Sequence, residues 1–177
     1  KMQRKSLRKI VALIVAVVTM TLSGSTLKIE AEPADTWICN EFLPYINTIS
    51  NQYHLCPEMV MAIIEHESSG QANASNGNCK GLMQIYEKYH MDRMKKLGVT
   101  DLYDPYSNIL VGCDYLAELF SEYEDMGTVL MVYNGTKNAV SRGDAADYTT
   151  YALGIMERTY ELEEIHGKHQ ISQTSVG

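Results

Sequence analysis

Glu67 occupies the position in this sequence that most clearly suggests catalysis. It lies near the end of the segment Pro57–Gly70, which begins with a proline and stops at a glycine, as helices often do. Apolar residues recur along this segment three and four positions apart: Met59, Val60, Ile63 and Ile64. The next step of that spacing reaches Glu67, so a carboxyl group continues the buried face. Burial and the negative end of a helix both raise the pKa of a carboxyl group, which favours a general acid here. A glutamate that reaches the surface at a frayed helix end is the alternative.

Other catalytic motifs fail on spacing. His66 and Glu67 begin like the zinc-binding helix of a metalloprotease, but Gly70 stands where the second histidine is required. Ser68 and Ser69 lack the Gly-x-Ser-x-Gly turn of a serine hydrolase, and no glycine-rich phosphate loop occurs.

A second carboxylate is missing from the residues that follow Glu67. The next acid in the chain is Glu87. The interval between them offers neutral groups that can hydrogen-bond a sugar: Asn73, Ser75, Asn76, Asn78 and Gln84. Two-carboxylate glycosidases need a second acid that faces the same bond. The sequence therefore predicts one acid among amides, unless Asp101 or Asp104 folds back.

The N-terminal residues predict export. Basic residues precede an apolar run over residues 10–22, which favours a signal peptide or an uncleaved membrane anchor over residues 1–31. Without that segment the chain keeps nine basic and 21 acidic side chains, so a nucleic-acid partner is not expected. We expect an extracytoplasmic protein, either secreted or anchored at the outer face of the membrane, whose N-terminal segment engages the membrane.

Four cysteines, an even number in a chain predicted to be exported, favour two disulfides: Cys39, Cys56, Cys79 and Cys113. Three pairings are open, and we prefer Cys79 with Cys113 because both fall in segments expected to line the core. The absence of a Cys-x-x-Cys pair gives no support to zinc, and no metal or cofactor is expected.

The first half of the chain predicts helices separated by a polar loop. Helical spacing of apolar residues covers 36–52, the Pro57 helix follows, and residues 71–80 are suited to a loop. Gly81–Ile85 is apolar enough for a short strand or a helix start. Residues 86–97 resemble a solvent-exposed helix.

The second half also predicts helices. A turn at Asp101–Pro105 precedes a helix over Asn108–Phe120, and a short apolar segment runs from Thr128 to Tyr133. The last helix is expected over Asp144–Glu164. Its inward residues are Tyr148, Tyr151, Ala152, Ile155, Thr159 and Leu162. The fold class is α+β and mainly helical, in one domain over residues 32–164, with a disordered tail over 165–177.

Several short motifs in order resemble the catalytic domain of the soluble lytic transglycosylase family. They are Glu67-Ser68, Ala74-Ser75, Gly81-Leu82-Met83-Gln84, Asp104-Pro105 with Asn108-Ile109, Tyr133-Asn134 and Tyr151. The resemblance covers roughly residues 52–160. It implies a lysozyme-like fold with a small loop and strand region at Gly81–Gln84.

The resemblance also implies roles for individual residues. Glu67 would be the sole catalytic acid and base, and Tyr151 would approach it. The substrate-binding residues would be Ser68, Ser75, Met83, Gln84, Tyr133, Asn134 and Tyr151. For Met83, Tyr133 and Tyr151, ordinary core packing is the alternative.

The expected function is that of an exported peptidoglycan lytic transglycosylase. Such an enzyme cleaves between N-acetylmuramic acid and N-acetylglucosamine and leaves a 1,6-anhydro end, with Glu67 acting in both steps. The alternatives are a hydrolytic muramidase and a glycan-binding module without activity.

Overall fold

The computed structural model describes residues 41–136 and 148–168. Its helices are α1 (Leu43–Gln52), α2 (Pro57–Ser68), α3 (Glu87–Leu97), α4 (Pro105–Glu122), α5 (Met126–Tyr133) and α6 (Thr150–Ile165). Its strands are β1 (Ser75–Asn76), β2 (Cys79–Lys80) and β3 (Ile85–Tyr86). The predicted α+β class with a dominance of helix is confirmed. None of the described helices has the length and apolar content needed to cross a membrane.

Helix α2 is the centre of the fold. Every side chain from Glu58 to Ile64 is buried, and the helix packs against α1 and α6. Pro57 occupies its first turn, as predicted. The helix ends at Ser68 because Ser69 adopts a left-handed conformation (φ 53°) and its N–H bonds to the carbonyl of Glu65 at 3.1 Å. The chain direction therefore changes just after Glu67.

Side-chain caps set the starts of α4, which was predicted to begin at Asn108, and of α5, whose residues 128–133 were predicted only as a short apolar segment. The Asp104 carboxylate accepts a hydrogen bond from the Ser107 N–H at 2.8 Å, so α4 begins at Pro105. Asp125 caps α5 in the same way through the N–H of Thr128 at 2.7 Å.

Helix α6 turns its predicted inner face to the core. Ala152, Ile155, Thr159 and Leu162 are buried, and α6 packs against α2 and α5. The helix begins at Thr150, with Thr149 as its cap, and the part of the predicted helix over residues 144–147 lies outside the described residues.

The three strands form an antiparallel sheet in the order β1-β2-β3. Two predictions need correction here. The polar stretch predicted as a loop contains β1 and β2. Of the segment Gly81–Ile85, predicted as a short strand or a helix start, Gly81–Gln84 forms the turn between β2 and β3, and Ile85 begins β3. Gly81 has a φ of 75°, and a Cβ there would lie 2.3 Å from the Leu102 carbonyl oxygen. The turn therefore requires glycine at this position.

Asn108 fixes that turn to the helical part of the fold. Its fully buried side chain accepts a hydrogen bond from the Met83 N–H and donates to the carbonyls of Lys80 and Leu102, each at 2.8 Å. One amide thus joins α4, the turn and the segment before α4, and satisfies three backbone groups.

The preferred disulfide is not formed. Cys56, Cys79 and Cys113 are free thiols, with Cys79 half-buried on β2 and Cys113 buried on α4. Sequence patterning placed both residues near the core but could not place their sulfur atoms side by side. The predictions for Cys39 and for residues 1–31 lie outside the described residues.

The start of the predicted tail is ordered by a buried acid. Glu58, 2% exposed on α2, binds the His166 imidazole and the Lys168 ammonium group at 2.7 and 2.6 Å. Residues 165–168 therefore belong to the packed domain, and residues 169–177 lie outside the described part of the chain.

Candidate active site

A groove of about 530 Å³ opens between the end of α2, the small sheet and helices α3 to α5. It brings together four of the predicted residues: Glu67, Gln84, Tyr133 and Asn134. Its lining includes amide, phenol and carboxyl groups, which are the groups that bind sugar hydroxyls.

Glu67 lies half-buried at the wall of this groove. Its Oε1 accepts a hydrogen bond from the Tyr151 hydroxyl at 2.6 Å, across 84 positions of sequence. Burial raises the pKa of Glu67, and the Tyr151 hydrogen bond and the charge of a protonated His66 oppose that rise in part. The net direction is upward, which is the direction that a general acid needs.

Glu65 contrasts with Glu67 two positions away. The Arg158 guanidinium binds both Glu65 oxygens, with Nε to Oε2 at 2.6 Å and Nη2 to Oε1 at 3.0 Å. This two-point contact fixes the position of the Glu65 carboxylate. Because residues two positions apart on a helix point in different directions, Glu65 meets the Arg158 cation and Glu67 meets the neutral hydroxyl of Tyr151.

Tyr151 belongs to this site through its bond to Glu67. The His66 ring packs edge-on against the Tyr151 ring, with centroids 4.8 Å apart, and fixes the ring position. Burial and the nearby Glu67 carboxyl raise the pKa of Tyr151 far above its ordinary value, so the phenol keeps its proton and donates.

The turn and α5 contribute Gln84 and Tyr133 to the wall of the groove. The Gln84 side chain donates to the carbonyls of Gly81 and Ala74 at 2.9 and 3.2 Å, which holds the turn against the start of β1. The Tyr133 hydroxyl donates to the Met83 carbonyl at 2.8 Å. Both side chains are therefore preorganised by the backbone that they bind.

Four predicted substrate-binding residues do not line the groove: Ser68, Ser75, Met83 and Tyr151, the last of which contacts the groove residue Glu67. Ser68 is buried, and its hydroxyl donates back to the Ile64 carbonyl at 3.1 Å, as serines in helices often do. Ser75 is exposed on β1. Met83 is fully buried, and its sulfur packs against Gly112, so its side chain fills the core.

Sequence analysis missed one face of α3 and the residue before it. Tyr86, Tyr89, His90 and Arg93 all line the groove, and the rings of the first two lie 4.5 Å apart. Their spacing of i, i+3, i+4 and i+7 marks a single helix face, a signal that was present in the sequence. Tyr89 is 78% exposed and offers a ring face for sugar stacking.

Arg93 connects α3 to α4 at the groove. It forms ion pairs with Asp114 and Glu118, the latter at 2.8 Å, and its guanidinium lies 5.1 Å from the Tyr115 ring centroid. Burial and the charge of Arg93 lower the pKa of His90 to about 4, so this histidine is neutral at physiological pH.

Two carboxyl groups, Glu67 and Glu118, lie among the described residues that line the groove. Glu118 is bound to Arg93. Asp101 and Asp104, the two acids predicted as substitutes, hold backbone N–H groups of Tyr103 and Ser107 and do not line the groove.

Comparisons with known proteins show similarity in sequence and in fold. Residues 44–155 match the Transglycosylase SLT domain family. The chain is 37% identical over 99 residues to a transglycosylase of Enterobacteria phage PRD1, a match that covers 55% of this chain and 36% of that protein. It is 29% identical over 133 residues to membrane-bound lytic murein transglycosylase C of Serratia proteamaculans, covering 66% of this chain and 37% of that protein. The chain thus spans just over a third of the length of these relatives.

The fold also matches a solved structure, an inactive mutant of the lytic transglycosylase Slt from Pseudomonas aeruginosa. The TM-score is 0.53 at 19% sequence identity, and the match covers 75% of this chain and 22% of that one. The likeness at this identity concerns the fold, and it agrees with the predicted lysozyme-like architecture.

Proposed function

The chain belongs to the Transglycosylase SLT domain family, and from this membership and the groove we propose that it is a lytic transglycosylase of peptidoglycan. The bond that it cleaves joins N-acetylmuramic acid to N-acetylglucosamine. One observation carries the proposal: Glu67 lies in the groove with a raised pKa and a neutral hydroxyl as its hydrogen-bond partner. Such a carboxyl group can hold the proton that the leaving oxygen requires.

The reaction needs one carboxyl group for two steps. Protonated Glu67 gives its proton to the glycosidic oxygen while the bond from that oxygen to the anomeric carbon breaks. The Glu67 carboxylate then takes the proton of the muramic acid 6-hydroxyl, whose oxygen bonds to the anomeric carbon and closes a 1,6-anhydro ring. Glu67 ends the cycle protonated, as it began.

Tyr151 supports both steps. Its hydroxyl donates to Glu67 Oε1, so it orients the carboxyl group and stabilises the carboxylate that forms between the two proton transfers. Gln84, Tyr133 and Asn134 lie on the wall of the groove, where they would bind the glycan.

Among the described residues that line the groove, Glu118 is the only carboxyl group besides Glu67, and this favours a nucleophile that belongs to the substrate. Glu118 is held in an ion pair by Arg93 at 2.8 Å, and this contact competes with any role in activating water. Attack by the muramic acid's own hydroxyl is intramolecular, and well-oriented intramolecular attack can lower a barrier by about 7–11 kcal/mol. A site of this kind loses little by having one acid.

The names of the relatives support the substrate and the location. One is a murein transglycosylase described as membrane-bound, which suits action on the cell wall outside the cytoplasm. The basic and apolar residues at the start of this chain agree with that location. The protein would then be either secreted or anchored by that segment to the outer face of the cytoplasmic membrane, and would act there on glycan strands.

Digestion of purified peptidoglycan in heavy-oxygen water tests the mechanism. A lytic transglycosylase produces unlabelled 1,6-anhydro ends, lighter than a hydrolytic product by one water, because the attacking oxygen comes from the sugar. Labelled reducing muramic acid as the main product would instead identify a hydrolytic muramidase and direct attention to Glu118. Binding without any cleavage would identify a glycan-binding module.

A further inference from the structure

A cluster of metal-ligating side chains lies at the N-terminal end of α2, whereas Glu67 lies at the C-terminal end. Cys56 caps the N-terminus of α2, Glu58 lies in its first turn, and Glu163 lies in the last turn of α6. The cluster therefore joins the start of one helix to the end of another, 107 residues further along the chain. It contributes nothing to the proposed reaction.

The ligand atoms of these three residues converge. Cys56 Sγ lies 3.3 Å from Glu58 Oε2 and 3.4 Å from Glu163 Oε1, and all three atoms lie within 4.8 Å of one another. A zinc ion bound to one sulfur and one oxygen at usual bond lengths in a tetrahedron would hold those two atoms roughly 3.5 Å apart. The two sulfur–oxygen distances thus already match the edges of a tetrahedral zinc site.

We propose that Cys56, Glu58 and Glu163 bind a zinc ion that clamps the start of α2 to the end of α6. The thiolate sulfur favours zinc over magnesium or calcium, which take oxygen ligands, and the mixed sulfur and oxygen set suits a borderline-soft ion. Three protein ligands leave the fourth tetrahedral position for water.

His166 orients one of these ligands. Its Nδ1 lies 2.7 Å from Glu58 Oε1, while the atom that faces Cys56 is Oε2 of the same carboxylate. Hydrogen bonds of this kind hold metal-ligating carboxylates in place. His166 is therefore a positioning residue for the zinc ligand Glu58.

Lys168 competes with the metal for the same oxygen. Its ammonium group donates a hydrogen bond to Glu58 Oε2 at 2.6 Å. Zinc must displace this lysine, whose side chain is 47% exposed and can turn into solvent. Replacement of Lys168 by Gln should therefore strengthen zinc binding.

Cobalt titration of the full chain tests the site directly. The protein is reduced, stripped of metal and titrated with Co²⁺, whose bond to a thiolate gives a charge-transfer band in the near ultraviolet. We expect the band in the wild type and in Cys79→Ser, and its loss in Cys56→Ser. Cys79 is the matched control because it is also a half-buried free thiol.

Two further measurements keep the test decisive if Cys56→Ser folds poorly. Glu163→Gln alters a partly exposed ligand and should weaken Zn²⁺ binding at least 10-fold in competition with a chelator dye, whereas Glu161→Gln should bind as the wild type does. Zn²⁺ should also raise the melting temperature of the wild type more than that of Glu163→Gln. Absence of a thiolate band, a band that survives in Cys56→Ser, or equal Zn²⁺ affinity in Glu163→Gln would each overturn the proposal.

Discussion

Glu58 and Glu67 lie near opposite ends of α2, and their pKa values are shifted in opposite directions. Burial raises the pKa of both Glu58 and Glu67. At Glu58 the hydrogen bonds from Lys168 and His166 outweigh burial and lower the pKa to about 2. At Glu67 the Tyr151 hydroxyl and His66 oppose burial without cancelling it. The hydrogen-bond partners therefore decide which of the two acids keeps its proton. The acid whose hydrogen-bond partner is a neutral hydroxyl, Glu67, is the one suited to donate a proton.

Replacement of Glu67 by Gln should have the largest effect on activity. The amide keeps the shape and can still bind Tyr151, but it has no proton to transfer, so peptidoglycan cleavage should fall by roughly 10²–10⁴-fold. Circular dichroism and thermal melting should show an intact fold. Glu65→Gln is the matched control on the same helix, and its turnover should stay close to that of the wild type. Normal cleavage by Glu67→Gln would remove Glu67 from the mechanism.

Replacement of Tyr151 by Phe should slow turnover less. The change removes one hydrogen bond to a group that becomes charged, which is worth about 1.5–3 kcal/mol, so kcat should fall roughly 10–100-fold. Tyr106→Phe, at an exposed tyrosine of α4, is the control and should be silent. Equal rates for the two variants would mean that Tyr151 only fills space.

Replacement of Glu58 by Gln should affect stability and leave catalysis intact. In the metal-free protein it weakens the hydrogen bonds to His166 and Lys168 at a buried position, which should lower the free energy of unfolding by about 1–3 kcal/mol. Denaturant unfolding measures the loss, and turnover per folded molecule should not change. Glu161→Gln, whose ion pair with Arg158 is exposed, should cost less than about 1 kcal/mol. If turnover per folded molecule fell in Glu58→Gln, the two ends of α2 would not have separate roles in stability and catalysis.

The smallest expected effect is a shift in the pH dependence of kcat/KM. The reactive form carries protonated Glu67, so kcat/KM should fall as the pH rises through the pKa of this group. The Tyr151 hydrogen bond and the charge of His66 both lower that pKa, so Tyr151→Phe and His66→Gln should each move this limb to higher pH. The shift should be larger for Tyr151→Phe, because its contribution exceeds that of His66. Movement to lower pH in either variant would reverse the assigned electrostatics.

Local patterns were enough to predict most helices and the place of Glu67. Apolar spacing at the helical period predicts α2 and places Glu67 in its last turn, because a helix repeats every 3.6 residues whatever surrounds it. The structure buries all sides of α2 over Glu58–Ile64 and leaves Glu67 half-buried. The same periodicity marked the buried face of α6. The stripe of Tyr86, Tyr89, His90 and Arg93 was equally readable, although only the structure places it beside the groove.

Sequence failed where backbone geometry depends on distant contacts. The strands are two residues long, too short for a period of two to appear, and the Gly81–Gln84 turn depends on Asn108. Met83 looked like a groove residue by resemblance, but packing against Gly112 takes its side chain into the core.

The sequence by itself determined that residues 57–68 form a helix with a carboxyl group near its C-terminal end. The tertiary structure decided what each acid of that helix does. Tyr151 reaches Glu67 across 84 positions, and His166 and Lys168 reach Glu58 across 108 and 110. No local pattern encodes such partners, because the pKa of a buried acid depends on the charges and dipoles that packing brings to it.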